Sequence, residues 1–228
     1  MPVTLDRIEG HTFVNTWLKG GSKVVDLGMN RGQFARTIQR KYNCNVVGVE
    51  ANPFLVEEFN KSGLARCFNL AISAHKGLVR FFIDPHNSEA SSLTVADESS
   101  LRPVDVDGVP FAEFYEAQST REVDLLKIDI EGAEIDLFEG VQPSIFAQTK
   151  QICVEFHSFL HPEHLPAIRR IIARMQAGGF HCCDFSTQYV DVLFLNGSLE
   201  HISKMDEAQI FVHKYVTGAK RRLRSLRA

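Results

Sequence analysis

The chain has 228 residues, 44% hydrophobic and 23% charged, which suits one globular domain with a core of ordinary size. No apolar run approaches the ~18 residues of a membrane span, and the opening MPVTLDRIEG lacks a charged stretch followed by an apolar block, so a cytoplasmic protein is expected. The net charge of -3 is uneven: six of the 25 basic residues and none of the 28 acidic ones fall in His213–Ala228, which leaves residues 1–212 with 19 basic against 28 acidic, a net -9.

The division expected is a single domain over 1–212 and a basic tail over 213–228. An acidic body disfavours nucleic acid as a partner. The tail is either a solvated helical end or a peripheral contact for an anionic surface, membrane or RNA. Five cysteines form no CxxC pair and are odd in number, which points to reduced thiols rather than a disulfide framework or a zinc site.

In chain order, Leu5–Leu18 reads as a helix ended by Gly20-Gly21. Val24–Gly28 reads as a first strand, followed by a helix carrying Phe34, Ile38 and Tyr42. Asn45–Ala51 is a second strand, after which Asn52-Pro53 opens a helix that Ser62-Gly63 ends. Phe68–Ser73 reads as strand three and Leu78–Ile83 as an extra strand. Asp84–Glu122 is rich in Ser, Asp, Glu and Pro and lacks periodicity; it stands as a linker or as a loop-rich lid over a substrate, with Phe111, Phe114 and Tyr115 to bury. Val123–Ile130 and Gln151–His157 are strands four and five. Ile168, Ile171, Ile172 and Met175 lie at helical spacing before Gly178-Gly179. His181–Ser186, Asp191–Leu195 and Ile210–Val216 complete the sheet. This alternation predicts an α/β fold with a mainly parallel sheet.

The most informative segment is LLKIDIEGAE, from Leu125 to Glu134. Interior parallel strands are usually continuous apolar runs, yet Lys127, Asp129 and Glu131 interrupt this one, at a cost unless they are paired. Side chains alternate along a strand, so these three share a side, as Cys153, Glu155 and His157 do on the next strand. The expected arrangement pairs Lys127 with Glu155 as a structural link and leaves Asp129, Glu131 and His157 functional at the carboxyl edge, where open α/β sheets bind ligands. A purely structural ion network is the plainer alternative. His157, His161 and His164, with Glu163, also suggest a divalent metal, but match no established zinc spacing, and a metal is not favoured.

Asp26-Leu27-Gly28-Met29-Asn30-Arg31-Gly32 resembles a dinucleotide fingerprint with Asn30 in place of the middle glycine. That glycine lets the backbone approach a pyrophosphate, so its loss weakens NAD or FAD binding. Glu50 ends strand two, 22 positions after Gly28, near the ~20-residue spacing at which an acid grips ribose hydroxyls. Asp26 would suit a cationic ligand and repel a pyrophosphate. Together these favour S-adenosylmethionine over NAD. Taken singly, the loop could be a tight packing turn and Glu50 a cap for the Asn52-Pro53 helix.

These segments resemble the FkbM-type S-adenosylmethionine-dependent methyltransferases over roughly Val24 to Phe159, through LLKIDIEGAE, VVDLGMNRGQF, VVGVEANP, FNLAIS with Lys76-Gly77, Ser91-Ser92-Leu93 and ICVEFH. The resemblance implies a Rossmann-like methyltransferase fold: a mostly parallel seven-stranded sheet, strand seven antiparallel between five and six, helices on both faces, plus the extra strand and loop insertion. It implies O-methylation of hydroxyl groups on sugars or natural-product small molecules. By motif, Asp26, Gly28, Asn30 and Gly32 would line the methionine part, Glu50 with Ala51 would hold the ribose end, and Ala71 and Ile72 would flank the adenine. Asp129 and Glu131 would sit near the transferred methyl. Met29 and Arg31 depart from the usual small residue and histidine of the family loop. His157 or Asp129 is the candidate base, or Asp129 orients His157. The alternatives kept open are a nicotinamide-dependent oxidoreductase, a non-catalytic methyltransferase-like partner subunit, and an RNA methyltransferase that uses the basic tail.

Overall fold

The computed structural model describes residues 3–83, 91–92, 102–118, 122–186 and 188–225. The chain opens with strands β1 (Leu5–Ile8) and β2 (His11–Val14), paired antiparallel. The expected helix over Leu5–Leu18 is therefore a hairpin. Glu9 (φ 46°) and Gly10 (φ 92°) form its two-residue turn, and a tight turn with positive φ at both central residues matches the twist of paired strands.

The central fold then runs through β3 (Lys23–Leu27), α1 (Gln33–Tyr42), β4 (Asn45–Glu50), α2 (Pro53–Asn60) and β5 (Arg66–Asn69). A second unit follows: β6 (Ala71–Ser73), β7 (Gly77–Ile83), β8 (Ser91–Ser92), β9 (Arg102–Pro110) and α3 (Phe111–Gln118). The chain returns with β10 (Leu125–Ile128), α4 (Glu134–Glu139), β11 (Gln151–Val154), α5 (Leu165–Ala177), β12 (Phe180–Asp184), β13 (Val192–Asn196) and α6 (Lys204–Ser225).

Seven strands make the central sheet in the order β12-β13-β11-β10-β3-β4-β5. Neighbours are parallel except β13, which is antiparallel to both β11 and β12, as the family resemblance implies. Alternation along the strands divides the core. Leu126, Ile128, Ile152 and Val154 face α3, α4 and α5, while Val24, Leu125, Cys153 and Leu193 face α1, α2 and the hairpin. A second, four-stranded sheet, β6-β9-β7-β8, stands beside the end of β5.

Three further expectations change. Phe68–Ser73 is two strands: Asn69 closes the central sheet and Ala71 begins the second one. The aperiodic segment contains the nine-residue β9 and helix α3, whose Phe111, Phe114 and Tyr115 enter the main core; residues 84–90, 93–101 and 119–121 lie outside the described part. Ile210–Val216 is not a strand but part of α6, since β13 already fills the seventh place. No helix among the described residues is long and apolar enough to cross a membrane.

Candidate active site

The loop between β3 and α1 is shaped by close backbone approach. Gly28 has φ 76°, and a Cβ there would lie 1.6 Å from the Asp129 carbonyl oxygen, so no other residue fits the crossing of this loop and the end of β10. Gly28 and Met29 both donate backbone N–H to the Val49 carbonyl at 2.9 Å. Asn30 takes φ 52°, which its short polar side chain tolerates, and its backbone N–H donates to Glu50 Oε2 at 2.8 Å. Glu50 Oε1 accepts from Asn52 N–H at 2.8 Å. Burial raises the Glu50 carboxyl pKa, against these two backbone donors.

A cleft with about 580 Å³ of empty space, part of it open to solvent, runs along this edge. Glu50 and Ala51 lie on one side, Asp129 and Glu131 on another, with Ala71, Ile72 and Phe81 forming an apolar wall. Gly28 and Asn30 line it too. Among the described residues no lysine or arginine lines it. A second cavity of about 520 Å³, lined by Glu9, His11, Gln33 and Lys127, shares Gly28, Asn30 and Asp129 with the first. Asp129 thus stands between the two.

Asp26 and Gly32 do not line the cleft. Asp26 is fully buried beneath it, and Gly32 (φ 76°) is closed over by Phe59, whose ring would meet a Cβ at 2.2 Å. Lys127 also differs from its expected role. In the register of the sheet it stands opposite Asp26 on β3 and Cys153 on β11. Its Nζ lies 3.2 Å from Asp26 Oδ1 and 3.3 Å from Asp129 Oδ2, and donates to the Gly28 carbonyl at 2.6 Å. The structural partner is Asp26 rather than Glu155. Burial opposes the charge on Lys127, but the two carboxylates outweigh it and raise its pKa.

Asp129 also faces two imidazoles. His11 Nε2 is 3.3 Å from Oδ2, and His157 Nε2 is 3.7 Å from Oδ1. Burial would raise the Asp129 pKa, but the Lys127 charge and the two imidazoles hold it well below the usual carboxylate range. His157 is held in turn by Glu131 Oε2 at 3.2 Å and Glu134 Oε1 at 3.1 Å. Burial disfavours its charge, yet hydrogen bonds to Glu131 and Glu134, with the charges of Glu134 and Asp129, raise its pKa to about 11. His157 is therefore an imidazolium at neutral pH and has no lone pair for a proton. Glu134 is buried and also accepts the N–H groups of Ile130 (2.9 Å) and Gly132 (3.2 Å), fixing the turn that carries Glu131 at φ 53°.

The sheet edge thus brings together Glu50, Ala51, Ala71, Ile72, Asp129, Glu131 and His157, as the sequence suggests. It adds His11 and Glu134. Glu134 lies inside the marked motif, four residues after Ile130, where a carboxylate can cap a turn. His11 is 118 positions from Asp129 in a segment that reads as helix, so no local signal marks it. Among the described residues, three groups are close enough to hold a metal ion: His161 with Glu163 and His164, His11 with Asp129 and Glu155, and Asp129 with Glu134 and His157. The last two share Asp129, whose charge Lys127 already answers.

A parallel sheet with this one antiparallel strand, and an acid-lined cleft at its carboxyl edge, defines a Rossmann-like methyltransferase. Residues 26–182 match the methyltransferase FkbM domain family, and the chain belongs to that family of S-adenosylmethionine-dependent methyltransferases. The hairpin that carries His11 lies before the matched segment. No curated protein matches the chain. Among solved structures, it is similar to a TehB-like SAM-dependent methyltransferase from Corynebacterium glutamicum (13% identity, 79% of this chain and 82% of that one, TM-score 0.40). It is also similar to the Methanococcus jannaschii fibrillarin pre-rRNA processing protein (14%, 84% and 69%, TM-score 0.42). A third is the plantazolicin methyltransferase BamL, solved with a triazolic desmethylPZN analog and SAH (10%, 88% and 68%, TM-score 0.43).

Proposed function

We propose that this enzyme transfers the methyl group of S-adenosylmethionine to a hydroxyl oxygen of a small molecule or glycan, of sugar or natural-product type. The observation that carries this reading is the placement of Asp129, an ionised carboxylate between the two cavities, with Glu50 across the same cleft. When bound, the cofactor supplies a methyl group already activated by the sulfonium. Glu50 receives the ribose hydroxyls: each of its oxygens accepts one backbone N–H, which leaves lone pairs for two more donors. Ala51, Ala71 and Ile72 take the base against an apolar wall. Gly28, Asn30 and Asp129 receive the methionine end. Asp26 acts at one remove, through Lys127, and Gly32 by letting α2 pack against the loop.

Asp129 and Glu131 face the acceptor. A hydroxyl oxygen becomes strongly acidic once it has been alkylated, so even a weakly basic carboxylate removes its proton. Asp129 is the base in this reading, and His157 positions Asp129 and Glu131 as a fixed cation. Asn30 in place of the second fingerprint glycine argues against a nicotinamide cofactor, and the acid set at the cleft argues against a non-catalytic subunit. Cytoplasmic residence fits five free thiols.

The test incubates the purified protein with S-adenosylmethionine and a panel of hydroxylated sugars and polyketide-like alcohols, and follows S-adenosylhomocysteine release. Acceptor-dependent release that is lost in Asp129→Asn is expected. Binding of NAD in place of S-adenosylmethionine would overturn the reading.

A further inference from the structure

Helix α6 covers the molecule with one side only. Ile210 is buried against the body, and Asp206 ties the first turn down by accepting from Val3 N–H at 3.1 Å and Ser203 N–H at 3.0 Å. The opposite side exposes a row of large apolar side chains, with Lys204 at its start. Phe211 is 60% exposed, Val212 58%, Tyr215 58%, Val216 47% and Met205 69%. At 3.6 residues per turn these five fall within an arc of about 140°, centred opposite Ile210. The Phe211 and Tyr215 rings touch on that arc, with centroids 4.5 Å apart. Monomeric proteins rarely leave such a contiguous patch uncovered without a partner.

The charge of the same helix says what that partner is. After Glu207 the helix has no acid; Lys214 faces the body beside Asp184, and Lys220, Arg221, Arg222 and Arg224 follow within the helix. An apolar stripe joined to a basic run needs both apolar and anionic surface at once. A second copy laid alongside in parallel would cover the stripe but press two basic runs together. RNA would answer the charge and leave the aromatic arc wet. An anionic bilayer supplies acyl chains for one and headgroups for the other. The body, at net -9 over residues 1–212, is repelled by the same surface, so contact is confined to this helix.

We propose that α6 is a membrane-docking helix that lies in the headgroup plane of a bilayer rich in anionic phospholipid. The helix does not cross the bilayer, and the attachment is reversible, because one amphipathic helix with a basic run gives only moderate binding. The proposal is independent of the methyl-transfer reading.

The experiment is flotation of the full chain with vesicles of phosphatidylcholine alone, or with about 30 mol% phosphatidylserine. The expected result is binding to the anionic vesicles only, falling at least about tenfold when salt is raised to roughly 0.5 M. Two variants divide the contributions. Phe211→Ser with Tyr215→Ser removes the apolar arc, and Arg221→Gln with Arg222→Gln removes charge; each is expected to weaken binding about tenfold while S-adenosylhomocysteine affinity and the melting temperature hold. The proposal is overturned by absence of binding to the anionic vesicles, or by binding that neither variant changes. It is equally overturned by a dimer in light scattering that the serine variant abolishes, or by binding confined to an RNA probe.

Discussion

His11 Nε2 lies 3.3 Å from Asp129 Oδ2, joining the first hairpin of the chain to the end of its central strand. His11 is buried, Asp129 is partly open to the cleft, and the hairpin that carries His11 is held by several hydrogen bonds. Asp191 anchors the hairpin by accepting from Thr12 N–H at 2.9 Å, Thr12 Oγ1 at 2.8 Å and Arg7 Nε at 3.0 Å. Gln151 on β11 holds the strand two residues further on, accepting from Val14 N–H at 2.7 Å and donating to its carbonyl at 3.0 Å. A segment before the family match thereby supports the carboxylate at which the acceptor is expected.

His11→Ala should therefore lower methyl transfer about 10–100-fold, the worth of one charge-assisted hydrogen bond, with little change in S-adenosylhomocysteine affinity. His11→Gln, which can still donate to Asp129, should recover part of the rate. Turnover measured beside calorimetry separates the two effects.

Lys127 is the only cation within 4 Å of Asp26 among the described residues. Lys127→Met should destabilise the fold by about 3–5 kcal/mol, because it leaves a carboxylate buried without its counter-charge. Adding Asp26→Leu should return part of that stability, since a matched apolar pair removes the stranded charge. Urea unfolding of the single and double variants measures both steps.

His157 should stay protonated through the physiological range. Its folded pKa, about 11, lies above the ordinary 6.5. The stability it contributes is complete below about pH 6.5 and is lost progressively as pH rises toward the folded value. The stability gap between the parent and His157→Gln should thus narrow between pH 6 and pH 10. Imidazole NMR should show no titration of this ring between about pH 5.5 and 9; a midpoint near 6.5 would contradict the three-carboxylate cage.

Gly28→Ala should abolish cofactor binding and cost about 2 kcal/mol or more, because the new methyl meets the Asp129 carbonyl and the backbone holds φ 76°. Thermal melting and calorimetry with S-adenosylhomocysteine check it.

Much of this site could be read from local order. The strands around Asp26, Glu50 and Asp129 end in acids or glycines against an apolar background, and one apolar run with charges in it locates the carboxyl edge. What could not be read is long-range. Lys127 has a carboxylate both before and after it in the chain, Asp26 on β3 and Glu155 just past β11, and only the sheet register selects Asp26. Glu9-Gly10 is not a strong turn dipeptide, so Leu5–Leu18 reads as one helix ended by Gly20-Gly21 although it folds as a hairpin. Asn69 and Ala71 are nearly contiguous in sequence yet belong to different sheets, because Leu70 turns the chain between them. Helix α6 is apolar on the side away from the body, which imitates a strand when Ile210–Val216 is read alone.

The central claim is that the cleft between Glu50 and Asp129 receives S-adenosylmethionine. Calorimetric titration of the parent and of Glu50→Ala with S-adenosylhomocysteine, each checked for native circular dichroism, tests it most directly. The parent should bind, and Glu50→Ala should bind at least about tenfold more weakly, as expected when a carboxylate holding two hydroxyls is removed. A parent that takes up none of the nucleoside, or a variant that binds it as tightly as the parent, would contradict the account.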